Sequence, residues 1–250
     1  MRRQLLTTLW FTTLSIVSYA ATFMQVKTTD GKIVKYDVEG VKEVTFVTDT
    51  TSSDHAYVDL GLPSGTLWAT CNIGATKPEE FGDYFAWGET ETKEIYNWST
   101  YKHCISRDGY LYSLTKYNSG HYGIRGIIDS LSTLLPEDDA ATFNWGNDWR
   151  MPTNDEQREL IEECELSWTE VNGVYGAKFT GKNGNSVFFP AAGLRYGSDV
   201  YGVDTYGSYW SSSCHEDEDS APLIYISNKI YQVVKSRDYG FPVRAVRSQK

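Results

Sequence analysis

Trp145-Gly146-Asn147-Asp148-Trp149 runs into Arg150-Met151-Pro152 and then Thr153-Asn154-Asp155-Glu156. Gly146, Asn147 and Asp148 close the first segment with turn residues. Pro152 cannot continue a preceding helix and has no amide proton to donate. Thr153 with Glu156 spells a capping box, in which the hydroxyl accepts from one orphan helix N–H and the carboxylate reaches back to another. Asp155 and Glu156 also stand at the positive end of the helix dipole. Leu160, Ile161 and Cys164 then recur on one helical face. The pattern predicts a helix over residues 153–165, and its start sets the register for everything around it.

Just upstream, Pro136-Glu137-Asp138-Asp139-Ala140-Ala141 predicts a shorter helix over residues 137–144, with acids in its first turn. Downstream the periodicity changes to short strands. Val174 to Thr180 and Ser186 to Phe189 flank Gly181-Lys182-Asn183-Gly184, which reads as a hairpin. Leu223 to Ser227 and Ile230 to Val234 are two further strands. Between them, residues 196–209 form a loop of Tyr, Gly and Asp carrying Tyr196, Tyr201, Tyr206 and Tyr209. Trp210-Ser211-Ser212-Ser213 and the acidic run Glu216-Asp217-Glu218-Asp219 follow.

Before the anchor stretch, Tyr57 to Gly61, Thr66 to Cys71 and Tyr84 to Trp87 read as strands, with Leu62-Pro63-Ser64-Gly65 as a turn. Residues 90–130 lack periodicity and scatter Tyr96, Trp98, Tyr101, Tyr110, Tyr112, Tyr117 and Tyr122. So long an irregular stretch inside a domain is often a functional loop.

The amino-terminal end has different chemistry. Met1-Arg2-Arg3-Gln4 is basic, Leu5 to Val17 is mostly apolar, and Ser18-Tyr19-Ala20 offers small residues for a signal peptidase. Residues 1–20 are therefore expected to be a signal peptide cleaved near Ala20. The apolar run is shorter than the roughly 20 residues that span a bilayer. The chain is expected to be secreted, periplasmic or displayed at the cell surface, with no transmembrane segment. Residues 21–47 read as a β-ribbon: Met24 to Thr29, the turn Asp30-Gly31, Lys32 to Tyr36, and a third short strand around Val41, Val44 and Phe46. Residues 48–55, rich in Thr, Ser and Asp, read as a linker. Residues 56–250 form the main domain.

The formal charge of −10 argues against a nucleic-acid backbone or an anionic membrane as partner. Aromatics make up 14% of the chain, with 18 Tyr and 8 Trp, enough to fill a loop-rich core or to build a contact surface. Cys71, Cys104, Cys164 and Cys214 lack the close pairing of a zinc site. An exported chain permits disulfides, and four cysteines allow three pairings.

Six motifs stand in order: Val58-Asp59-Leu60-Gly61-Leu62-Pro63-Ser64-Gly65-Thr66-Leu67-Trp68-Ala69, Gly82 to Glu89, Trp149-Arg150-Met151-Pro152-Thr153, Pro190-Ala191-Ala192-Gly193-Leu194-Arg195, Tyr209-Trp210-Ser211-Ser212-Ser213, and Val243-Arg244-Ala245-Val246. Together, over residues 56–247, they resemble the Fibrobacter succinogenes major paralogous domain, a family abundant in gut Bacteroides and their relatives. The resemblance implies an α+β, C-type lectin-like domain akin to DUF1566 domains and formylglycine-generating enzymes. Such a domain has two helices, small twisted antiparallel sheets and long loops, here preceded by the amino-terminal β-hairpin. It implies no reaction for the family. The tripeptides with which C-type lectins hold calcium and sugar are missing, since Gly146-Asn147-Asp148-Trp149 has another order. The paired cysteines of the formylglycine-generating enzymes are missing too, since only Cys214 stands in that region.

The sites follow from these readings. His55, His103, His121 and His215 are isolated and read as loop or surface histidines. Asp83 and Glu89 flank a strand and read as turn caps rather than an acid/base pair. Glu216 to Asp219 carries enough carboxylate oxygens for calcium but lacks the glycine-punctuated loop. Arg150, Arg195 and Arg244 read as ties between loops and strand ends. Tyr with Gly, Ser and Asp is the composition of adaptable binding loops. The expected function is a non-catalytic binding module for a glycan or protein ligand, without cofactor or metal. It is expected to recognise its ligand through the loops of residues 90–125 and 196–219, with Tyr201, Asp204, Tyr206, Tyr209 and Trp210 as contacts. The alternatives are a structural or adhesin subunit joined through residues 21–47 by strand addition, and a hydrolase using Asp83 and Glu89.

Overall fold

The structure is a computed structural model that describes residues 23–27, 33–37, 55–108, 111–120, 125–215 and 220–249. The chain divides into two compact units, Met1–Thr50 and Thr51–Lys250. The signal peptide, the Asp30-Gly31 turn, the third ribbon strand, His121 and the acidic run 216–219 lie outside the described residues, as does the linker up to Asp54.

In the first unit, Phe23–Lys27 pairs antiparallel with Ile33–Asp37, from Phe23 opposite Asp37 to Lys27 opposite Ile33. The two expected strands are therefore paired, with Lys27 opposite Ile33 where a two-residue Asp30-Gly31 turn would set Lys27 opposite Val34.

The second unit is mixed. Among the described residues it has two α-helices and many small sheets, nearly all antiparallel, joined by long loops. Helix α1 covers Ala140–Trp145, and α2 covers Asn154–Glu163. The acids before α1 work differently from the expectation. Glu137 and Asp138 belong to a 3-10 turn, Pro136–Asp138. Asp139 is the N-cap, accepting from the amides of Ala141 and Thr142. At α2 the capping box forms as read: Thr153 accepts from the Glu156 amide, and Glu156 accepts from the Thr153 amide. Glu156 also receives Arg150 at 2.6 Å and Thr66 at 3.0 Å, so one carboxylate joins three segments. Cys164 is not helical. It ends α2 in extended conformation, because Glu165–Val171 is already a strand paired from Glu165 opposite Thr180. The sequence pattern did not mark this strand, whose inward positions are only half buried.

Three sheets frame the domain. One has the order Ser186–Pro190, Val174–Thr180, Glu165–Val171. A second has Gly207–Trp210, Ser220–Ile226, Ile230–Ser236. The third brings the two ends of the domain together, with Val246–Arg247 beside Leu67–Ala69 and that strand beside Tyr57–Asp59. Aromatic rings fill the space between them. Trp87, Trp149, Met151, Trp210 and Phe241 share one core cluster, and Trp68, Leu160, Phe189, Tyr209 and Val246 another. Tyr96, Trp98, Tyr101 and Leu114 form a third.

Several charged side chains are buried against hydrogen-bond partners. Arg244 is fully buried, with its guanidinium on Asn72 Oδ1 and the carbonyls of Ala69 and Thr70, above the Phe189 ring at 4.5 Å. Burial pulls its pKa down to about 10. This is the structural tie expected of it. Asp138 is also buried and takes Lys116 at 2.6 Å and both Lys102 and the Tyr117 hydroxyl at 2.8 Å. The stretch 90–130, expected to be irregular, contains the paired strands Cys104–Asp108 and Leu111–Leu114, and the Asp138 network fastens them to the turn before α1. His103 is buried rather than on the surface, with Nε2 2.9 Å from the Gly88 carbonyl. His55, assigned to the linker, belongs to the folded unit and stacks on Trp145 at 3.7 Å. Cys71, Cys104, Cys164 and Cys214 are each partly buried, and no disulfide joins them. Burial raises the Cys164 thiol to about 11. Among the described residues no helix is long and apolar enough to cross a membrane.

Candidate functional site

The tyrosine-rich stretch builds a small, well-defined hairpin. Leu194–Tyr196 pairs with Asp199–Tyr201, and Tyr196 lies opposite Asp199. Gly197 and Ser198 are the whole turn. Gly197 has a φ of 60°, the left-handed start that a tight two-residue hairpin needs and glycine supplies freely. Strand alternation puts Leu194, Tyr196, Asp199 and Tyr201 on one face, and Arg195 and Val200 on the other.

Both ends of this hairpin are pinned. Gly197 exchanges two backbone hydrogen bonds of 2.8 Å with Tyr96, and Arg195 exchanges bonds of 2.8 and 2.9 Å with Gly240. The segment around Tyr96 and the late hairpin thus meet at the Tyr96–Gly197 bridge. Tyr96 is fully buried and donates its hydroxyl to the Tyr84 carbonyl at 2.6 Å. Tyr84 donates to the Ala192 carbonyl at 2.6 Å, and burial pushes its hydroxyl up to about 12. Neither phenol ionises near neutral pH, so both act as hydrogen-bonding struts.

On the Arg195 face lies an open, largely polar cleft of about 660 Å³, walled by Asp83, Tyr84, Lys93, Glu94, Tyr96, Arg195 and Ser198. Lys93 is held by Glu89 at 2.8 Å and by the Thr100 carbonyl at 3.1 Å. Glu89 also accepts from the Lys102 amide at 2.8 Å. It is therefore a buried anchor for this loop, as the turn-cap reading expects. The Asp83 carboxylate lies against Gly74, where a Cβ would come within 2.3 Å of Oδ2.

On the opposite face, Tyr196 is 46% exposed and Tyr201 is 48% exposed. The Tyr196 ring rests on Tyr239 at 4.7 Å, and the Tyr201 hydroxyl donates to Asp199 at 3.3 Å. Both rings are supported yet open to solvent.

The five expected contacts separate into two groups. Tyr201 and Asp204 are exposed, with Asp204 a turn residue at φ 60° whose amide donates to the Ala191 carbonyl at 2.8 Å. Tyr206 is half-buried on Tyr225, with ring centroids 5.1 Å apart. Tyr209 and Trp210 are corrections: they are 1% and 0% exposed and cannot touch a ligand. They lie on the Gly207–Trp210 strand, beside Ser220–Ile226, with Trp210 in one core cluster and Tyr209 in the other, and Tyr209 donates to the Pro190 carbonyl at 2.6 Å. Sequence reasoning missed the contribution of Tyr84, Tyr96 and Arg195 to a cleft, because their meeting depends on the bridges to Gly197 and Gly240. It did not single out Tyr196, although alternation across Gly197-Ser198 aligns it with Tyr201.

Among the described residues no group of three or more His, Cys, Asp or Glu side chains could hold a metal ion. No protein family profile, no curated protein and no solved structure matches this chain.

Proposed function

We propose that this chain is an exported, non-catalytic binding module with a C-type lectin-like domain, and that it recognises a glycan on the tyrosine face of the 194–201 hairpin. The observation that carries this reading is the pair Tyr196 and Tyr201, half-exposed on one face of a pinned hairpin with the Asp199 carboxylate between them. Flat aromatic faces stack on the C–H faces of sugar rings, and a neighbouring carboxylate accepts hydrogen bonds from sugar hydroxyls. The basic start and apolar run of residues 1–20 support export. Hydrolysis by Asp83 and Glu89 is disfavoured, because Glu89 is buried and committed to Lys93 and the Lys102 amide.

The test is a glycan array probed with the mature protein and with Tyr196→Ala and Tyr201→Ala. Signals that vanish in both variants, while their melting temperatures stay at the wild-type value, support the proposal. An array with no signal, or signals unchanged in both variants, sinks it.

One observation favours a second role for the first unit. Each strand of the Phe23–Lys27 and Ile33–Asp37 hairpin pairs only with the other among the described residues. The edge of a two-stranded ribbon can accept an added strand. Deleting residues 21–47 and measuring assembly size separately from glycan binding distinguishes a joining element from the binding domain.

A further inference from the structure

We propose that the cleft on the other face of the hairpin is a second binding site, taking the carboxylate of an acidic sugar on Arg195. The argument rests on the state of one guanidinium. Among the described residues its hydrogen bond is from Nη2 to the Ser198 carbonyl at 3.2 Å. Nε is shut in without an acceptor. The fork lies over the Tyr96 ring, 5.2 Å from its centroid. No carboxylate among the described residues pairs with it.

Of the nearby acids, Glu89 holds Lys93 and the Lys102 amide, while Asp83, which lies against Gly74, and the exposed Glu94 line the cleft without an ion pair to Arg195 among the described residues. Arg237 and Arg244 also lack carboxylate partners, but both are sealed at 0% exposure and bonded to several carbonyls or amides. Arg195 differs in lining an open cleft. A planar fork with unused donors matches a carboxylate bidentately, and that charge-assisted pair is roughly twice as strong as a neutral one. The polar wall supplied by Lys93, Glu94 and Ser198 suits the hydroxyls of a sugar ring, and about 660 Å³ accommodates one or two such rings. This site stands on a face without Tyr196 or Tyr201 and does not require the tyrosine-face reading.

Calorimetric titration of the intact protein with glucuronate, glucuronate methyl ester and glucose tests the proposal. Glucuronate is expected to bind at least about tenfold more tightly than the ester and glucose. Arg195→Gln is expected to bring glucuronate down to the level of the ester. The ester comparison uses unaltered protein, so it decides the matter even if the variant does not fold. Equal binding of acid and ester overturns the proposal, as does absence of glucuronate binding up to the millimolar range or retained preference in a folded Arg195→Gln protein. Loss of array signals in the tyrosine variants is read separately, so either site can fail alone.

Discussion

Trp87 and Trp210 hold each other's segments. The Trp87 indole donates to the carbonyl of Ser211, immediately after Trp210, at 2.8 Å. The Trp210 indole donates to the carbonyl of Phe85, two residues before Trp87, at 2.9 Å. Both rings are fully buried. Two distant stretches are thus locked by a reciprocal pair of hydrogen bonds inside one core cluster.

This lock predicts that Trp210→Phe destabilises the domain by about 1–3 kcal/mol, because it leaves the buried Phe85 carbonyl without its donor. Tyr201→Ala, on the open hairpin face, is expected to change stability by less than about 0.5 kcal/mol. Urea unfolding of both variants checks the contrast. Equal losses at the two positions contradict the division between core and surface tyrosine-loop residues.

Gly240 sits against both the Tyr96 ring and Arg195 of the hairpin. A Cβ there would lie 2.7 Å from the Tyr96 ring and 3.1 Å from Arg195 Cβ. Tyr96 cannot yield easily, since it is buried and bonded to the Tyr84 carbonyl. Gly240→Ala is expected to cost about 1–3 kcal/mol through overpacking. It should also shift the Arg195 and Tyr196 resonances in an NMR spectrum. A spectrum unchanged around the hairpin contradicts this.

Asp138 links stability to acid pH. Burial by itself pushes its carboxyl up, but Lys102, Lys116 and the Tyr117 hydroxyl outweigh that and hold it at about 2. A carboxyl depressed in the folded state contributes stability that is present above its unfolded value near 3.8 and is lost as pH falls towards 2. Asp138→Asn is therefore expected to lower the melting temperature at pH 6 and to flatten its decline between pH 4 and pH 2. An unchanged slope rejects the assignment.

His103 acts in the same direction at milder pH. Burial lowers its pKa below 6.5, and this outweighs the Gly88 carbonyl and Asp138. The neutral ring is favoured in the folded state, so its contribution is complete above pH 6.5 and lost as pH falls through the folded value. NMR titration of its ring protons should give a midpoint below 6.5, and a midpoint above it refutes the buried neutral state.

The start of α2 offers a comparison of two partners in one capping box. Thr153→Ala removes one cap acceptor and is expected to cost about 1 kcal/mol. Glu156→Ala also releases Arg150 and Thr66, and its cost is expected to be about 2–3 kcal/mol. Chemical denaturation ranks the two, and an equal or smaller loss for Glu156→Ala removes its role as a three-way junction.

The capping box could be read directly from Thr153 and Glu156, because its partners are three residues apart and helix geometry alone brings them together. The hairpin at residues 174–190 and the two strands Phe23–Lys27 and Ile33–Asp37 were legible for the same local reason. The strand Glu165–Val171 was not, because its pairing with Val174–Thr180 outweighs the helical spacing that reaches Cys164. The cleft was even less visible. Tyr96 and Gly197 stand about a hundred residues apart, and nothing in either segment names the other.

Composition and local pattern were enough to establish a mixed domain with two helices, short strands and a tyrosine-rich loop. They did not establish which tyrosines face water. Tyr201 and Tyr209 have the same chemistry and similar neighbours, yet one is 48% exposed and the other 1%. The difference comes from long-range pairing, with Asp199–Tyr201 on a two-stranded hairpin and Gly207–Trp210 at a sheet position packed into the core. Burial is a property of the whole packed chain, and a residue's own sequence neighbours carry only part of it.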